Sequence, residues 1–383
     1  MALLIVIYLA FISLGLPDGV LGSIWPVMRS ELDLPFYTAG IVGALGSIGT
    51  VVSALSSYRV IQRFGTAKVT TVSVFMTAIA LIGFSYASSL PALLVCAIPL
   101  GLGAGSVDSA LNNYVALHYK ARHMNWLHSF WGLGASAGPA VMGLVLSLQL
   151  SYRSGYRTLG VFQIVLVLVL FASQRLWQDP KKSTVKEHLG QGSKPSLKHK
   201  ALPFALLSFF LYCALEISTG LWAVSYLVEV KHLLPNDAAF YGSLFFLGIT
   251  GGRMASGFFS YRLSNYLLIS LGLMVCFISI IMLYLAPLSI AGFSLLLLGI
   301  GCAPIFPSLI HETPKSFTAE ASSRVIGLQM ASAYVGSSVT PPIFGLLGSR
   351  FGMNWMPLMQ MIILLLMIGC IGALVLLTKS SRR

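Results

Sequence analysis

Twelve separate stretches of this chain are each apolar over about 20 residues, the length that crosses roughly 30 Å of hydrocarbon. They fall near 2–28, 36–57, 69–88, 91–117, 127–149 and 157–174, then near 202–228, 239–260, 266–286, 288–310, 325–347 and 356–378. Lipid offers no partner to backbone N–H and C=O groups, so such runs must be helices that satisfy their own hydrogen bonds. The first run reads as a span rather than a cleaved leader: it lacks a basic start, is too long, and carries Asp18 where an apolar centre belongs. The fold class is therefore an all-α polytopic membrane protein with 12 transmembrane helices.

Only 9% of the residues are charged, against roughly 25% in soluble domains, which excludes a water-soluble globule. The net charge of +13 does not point to nucleic acid, because the basic residues sit in short loops between spans. With the N-terminus in the cytoplasm, eighteen Lys and Arg lie on that side, and only Arg29, Arg153, Arg157, Lys231 and Arg350 lie on the other. That bias is the positive-inside pattern, and it predicts a multi-pass protein of the cell (plasma or inner) membrane with both termini cytoplasmic. The five cysteines lie within apolar runs without metal-ligand spacing, so they read as small hydrophobes and no cofactor is expected.

The one long polar stretch, Trp177 to Lys200, divides the spans six and six. It predicts an N-terminal bundle over 1–176, a flexible cytoplasmic linker over 177–201 and a C-terminal bundle over 202–383. The halves also match one another. Ser53-Ala-Leu-Ser-Ser-Tyr58-Arg59 ends the second span and Ser256-Gly-Phe-Phe-Ser-Tyr261-Arg262 ends the eighth, while Asp18 and Gly22 correspond to Glu216 and Gly220. Two pseudo-symmetric halves from a duplicated six-helix unit explain both matches.

Three carboxylates, Asp18, Asp108 and Glu216, lie deep in apolar spans. A charged carboxylate facing lipid costs several kcal/mol, so each must face a cavity or a partner. They are the candidate proton-coupling residues; the bland alternative is a carboxylate held by neighbouring amides or by Arg253. Asp108 and Asn112, four apart, share one helix face, with Asn113 adjacent. The fifth span opens with Asn125, His128, Phe130 and Trp131. Amides and carboxylates beside an indole suit a hydroxyl-rich solute, which predicts Asn112, Asn113, Asn125, His128 and Trp131 as substrate contacts. His128 is equally suited to a proton relay or a hydrogen-bonded wall. Trp25 and Trp222 either line the cavity or belong to the interfacial aromatic belt. His311 and Glu312 are expected to be solvated.

Twelve spans, a basic central loop and parallel halves resemble the major facilitator superfamily, whose spans 1, 4, 7 and 10 line a midplane cavity. The loop Arg63-Phe64-Gly65-Thr-Ala-Lys68 resembles that superfamily's gating motif, with Gln62 where the motif has an acid. Gly103, Gly105, Asp108 and Asn112 in the fourth span, with Asn125, Phe130 and Gly134 in the fifth, resemble the fucose permease family of sugar:proton symporters. The resemblance implies that Asp108 binds substrate and couples protons. Two departures stand out: that family's first-span Asp aligns with Gly22 rather than Asp18, and Trp131 stands where fucose permease offers an Asn.

The expected function is proton-coupled symport of a small polar solute such as a sugar, by a monomer that partners only solute, protons and lipid. The rival is proton-driven export of amphipathic compounds, since Gly134 to Gly143, with Gly138 and Pro139, resembles the exporters' antiporter motif apart from its final spacing. A membrane enzyme would need a nucleophile elbow, P-loop or zinc-ligand spacing, and none appears in the sequence.

Overall fold

The computed structural model describes residues 2–119, 121–177, 200–285, 287–317 and 319–380, and those residues form helices with no strand. The first span is two helices, α1 (Ala2–Gly15) and α2 (Val20–Glu31). Spans two to six are α3 (Thr38–Phe64), α4 (Thr66–Tyr86), α5 (Leu90–His118), α6 (Ala121–Ser147) and α7 (Tyr152–Ala172). The second half begins with α8 (Leu202–Glu229), α9 (Pro235–Phe259) and α10 (Asn265–Leu285). Its tenth span is again split, into α11 (Ala291–Cys302) and α12 (Ile305–Ser316), and α13 (Ala319–Phe351) and α14 (Met356–Ser380) complete twelve. The expected linker core lies outside the described residues.

Ten of these spans are apolar and long enough to cross a membrane by that measure alone. The other two, α9 and α13, are long but more polar, and their place explains why. Each runs along the seam between the halves, α9 against α6 and α13 against α3, so part of its surface packs on protein. Outward-facing Leu55, Phe171 and Leu376 are exposed instead and present an apolar surface to the bilayer.

The first span departs from the uninterrupted helix expected over 2–28. Pro17 has no N–H to continue the ladder, and Gly19 takes φ +74, a conformation that L side chains rarely adopt. The chain therefore turns at residues 16–19 and restarts, leaving Asp18 in the break. One buried polar group elsewhere in the bundle is paired across three spans. The Gln163 amide donates to the Ser13 carbonyl at 2.9 Å and accepts from the Thr77 hydroxyl, tying the sixth span to the first and third.

The halves meet on the face away from the termini. A Cβ on Gly22 would come within 2.6 Å of the Gly220 carbonyl, so Gly22 of span 1 packs directly on the backbone of span 7 at its repeat-related position. Gly40 packs likewise on Pro342. Above them Arg29 pairs with Glu229 of the other half at 2.6 Å, and its guanidinium lies 5.1 Å from the centre of the Phe36 ring. Phe36 in turn stacks on Trp222 at 4.7 Å. At mid-depth the halves touch again where Gly132 admits the Thr250 hydroxyl.

Candidate functional site

The break in the first span is held by a seam of small residues. A Cβ on Gly134 would lie 2.0 Å from the Ile12 carbonyl, one on Gly138 2.1 Å from that of Leu16, and one on Gly15 2.1 Å from that of Trp131. Only hydrogen at these positions lets α6 press its backbone against the break. Gly138 thus serves packing here, with Pro139 next to it inside α6. That contact brings Trp131 beside Asp18, 113 residues earlier, and its indole N–H donates to Asp18 Oδ2 at 2.9 Å.

Two residues of the other half complete the cluster. The Arg253 guanidinium lies 5.0 Å from the Trp131 ring centre, and its Nη2 stands 3.5 Å from Glu216 Oε1. Thr250, at the Gly132 contact, is one helical turn from Arg253, so the closest approach of α6 and α9 fixes the spacing of indole and guanidinium. Asp18, Trp131, Arg253 and Glu216 form a continuous chain from one half to the other. It holds two carboxylates and one guanidinium.

Asp18, Trp131 and Glu216 also line a cavity of about 270 Å³ between the halves, small beside the roughly 300–1,000 Å³ of ordinary ligand pockets. Its wall is largely apolar, with Phe84 and Phe246 among the large groups, and the hydroxyl-bearing residues are Ser47, Thr50, Tyr156 and Ser337. Thr50 already donates within 3.2 Å of the Gly46 and Gly101 carbonyls.

The other expected site residues are distributed more widely. The Asn112 amide donates to Asp108 Oδ1 at 2.9 Å, as their spacing predicts, but this pair does not line the cavity. Asn113 is exposed. His128, also exposed, meets Phe11 edge-on with centroids 5.8 Å apart. Asn125 lies in α6, and its side chain falls outside the described residues.

Trp25 and Trp222, expected at the cavity or in the aromatic belt, do neither in this conformation. Both are fully buried, their indole N–H groups bonded to the Phe36 carbonyl at 3.0 Å and the Pro341 carbonyl at 2.9 Å. Buried indoles need such partners, and these two bind the wall together. In the loop resembling a gating motif, Gly65 takes φ +81 and the Arg63 guanidinium lies 5.4 Å from the Phe64 ring centre. Glu312, expected in solvent, is buried and accepts from Asn265 and Lys315, each at 2.7 Å. Composition marked neither the cavity hydroxyls nor the break. The break did carry a local signal, the turn-forming run Pro17-Asp18-Gly19.

The family model of the Major Facilitator Superfamily matches residues 7–328. The chain belongs to that superfamily. It is 23% identical over 388 residues to Bypass of stop codon protein 6 of Saccharomyces cerevisiae, covering 91% of this chain and 77% of that protein. It is 23% identical to the Glucose/mannose transporter GlcP of Bacillus subtilis, over 88% of this chain and 86% of the relative. A shorter match, 27% identical, relates 34% of the chain to 31% of the Niacin transporter NiaP of Acinetobacter baylyi. Among solved structures, a variant of the nucleoside transporter NupG superposes with a TM-score of 0.78 at 15% identity, covering 97% of this chain and 98% of that one. A bacterial homologue of the human lysosomal transporter Spinster, inward-facing and unoccupied, gives 0.73 at 14% identity, covering 100% and 96%. At these identities the superpositions speak for the fold. The protein is a multi-pass membrane transporter of small molecules, not an enzyme.

Proposed function

We propose that this transporter is a proton-coupled symporter of a small polar organic solute such as a sugar, working as a monomer by alternating access in the cell membrane with both termini in the cytoplasm. The observation that carries the proposal is the pair of carboxylates, one from each half, that line a cavity of about 270 Å³, with the single Arg253 guanidinium placed beside Glu216. Arg253 balances one negative charge and leaves a second to be met by a proton. A carboxylate bordering a cavity that opens to alternate faces takes that proton on one side and releases it on the other.

Asp18 is the leading carrier, because it lines the cavity, while Asp108 is held by Asn112 outside it. Asp108 and Glu216 complete the proposed proton-coupling set. Trp131 supplies the apolar face that a sugar ring requires, and the 23% identical glucose/mannose transporter supports the solute class. The small cavity favours a solute of monosaccharide size over a bulky amphiphile.

A second reading, proton-driven export, draws on the mostly apolar wall. Purified protein in liposomes separates the two, with labelled glucose as the first probe. Symport requires accumulation beyond equilibrium when the outside is more acidic, abolished by a protonophore. Accumulation only under the opposite gradient would establish antiport, and glucose movement that ignores the gradient would exclude proton coupling.

A further inference from the structure

We infer that Trp131 is a positioning residue that links the Asp18 carboxylate of one half to the Arg253 and Glu216 pair of the other, so that a change at either end is felt across the seam. The inference deepens the proposed coupling role of Asp18 and rests on it for its biological meaning. Its physical basis is the indole's two different contacts. The ring edge donates its N–H to a carboxylate at 2.9 Å, a charge-assisted hydrogen bond. The ring face meets a guanidinium at 5.0 Å, a cation–π contact. A carboxylate that accepts the N–H pushes electron density into the ring, and a more electron-rich face holds the guanidinium better. The two contacts therefore strengthen one another in a low-dielectric interior.

Neutralising Asp18 weakens both contacts and releases Arg253 toward Glu216, whose present separation of 3.5 Å leaves room to tighten. A solute lodged in the cavity acts on the same chain, because Trp131 and both carboxylates form its wall. Solute occupancy and the charge of Asp18 thereby reach the opposite half through one side chain. Other charged or titratable groups around this chain include Asp108 on α5, His128 on α6, Tyr212 on α8 and Cys302 on α11.

Thermal unfolding of purified full-length protein in detergent tests the link without solute or gradient. Asp18→Asn and Arg253→Gln, whose side chains are bridged by the indole, must shift the melting temperature non-additively in the wild-type background. In Trp131→Phe, which keeps a ring face but has no N–H to donate, the same pair must become additive. Arg253→Lys replaces Arg253→Gln if the latter does not fold. The second readout is the tryptophan emission attributable to Trp131, taken as wild type minus Trp131→Phe. Glu216→Gln, which leaves the indole's own two partners in place, must alter that emission through Arg253. Additive shifts in the wild-type background, or a Trp131 signal indifferent to Glu216→Gln, overturn the inference. Neither readout requires transport, so failure here is distinguishable from failure of the liposome assay.

Discussion

Removing the Arg29 side chain should open the face away from the termini. The Arg29–Glu229 ion pair is 2.6 Å long, with the two side chains 33% and 28% exposed. Unit charges about 4 Å apart attract by about 4 kcal/mol at an effective dielectric of 20. Partial exposure and the cost of dehydrating both groups reduce the net worth of the pair to about 1–1.5 kcal/mol. Stacking on Phe36 adds about 0.5–1 kcal/mol. Arg29→Ala loses both, about 2 kcal/mol, which at 1.4 kcal/mol per decade shifts the closed-to-open equilibrium about thirtyfold. Glu229→Ala loses the pair alone and leaves a guanidinium whose buried Nε already has no hydrogen-bond partner. Its effect should be about tenfold. The assay places a cysteine at the cavity residue Ser47 and measures its reaction with an impermeant maleimide applied at that face, after subtracting labelling of the native cysteines. Both single variants should accelerate labelling, and the charge exchange Arg29→Glu with Glu229→Arg should return it toward the wild-type rate. Unchanged labelling in Arg29→Ala, or a charge exchange no slower than the singles, would refute the latch.

Asp18→Asn should abolish proton-driven accumulation in liposomes while exchange of labelled solute persists, because exchange needs no net proton movement; Asp108→Asn should be milder, and the reverse order would restore Asp108 as carrier. Trp131→Ala should weaken solute binding by about 1–3 kcal/mol, the worth of a buried aromatic contact, and equal affinity in a binding titration would confine Trp131 to packing. Gly134→Val should prevent assembly, since even a Cβ would come within 2.0 Å of the Ile12 carbonyl; monodisperse, stable protein by size exclusion would contradict the seam. Cysteines placed within 181–194 should react only with reagents that enter the cytoplasm, and labelling of intact cells by an impermeant reagent would reverse the topology.

Twelve spans were legible because apolar length is a property of each segment alone, and even the more polar α9 and α13 carry runs long enough to register. The intramembrane acids were legible for a similar reason, as lipid makes any Asp or Glu conspicuous. Which acid would sit at the centre was not. The fourth span carries Asp108 with its Asn112, a local pattern that drew attention, whereas Asp18 gains its neighbours from residues 113 and about 200 positions away. Such proximity follows from the glycine seam and the crossing of α6 with α9, neither of which has a one-dimensional signature. The break at Pro17-Asp18-Gly19 was written in turn-forming residues, but the surrounding apolar run argued for a continuous helix. Trp25 and Trp222 show the converse error: aromatics near span ends suggest a water boundary, and here their N–H groups find carbonyls inside the wall.

The two copies of the repeat no longer behave alike at their matched acids. Pro17-Asp18-Gly19 in the first span corresponds to Leu215-Glu216-Ile217 in the seventh, and α8 passes through that point as an unbroken rod. One copy has become an elbow and the other has stayed a strut. An elbow can swing its carboxylate without dragging a whole helix along, while the strut supplies a fixed reference against which that swing is measured. The two matched positions thus differ in build, one jointed and the other rigid.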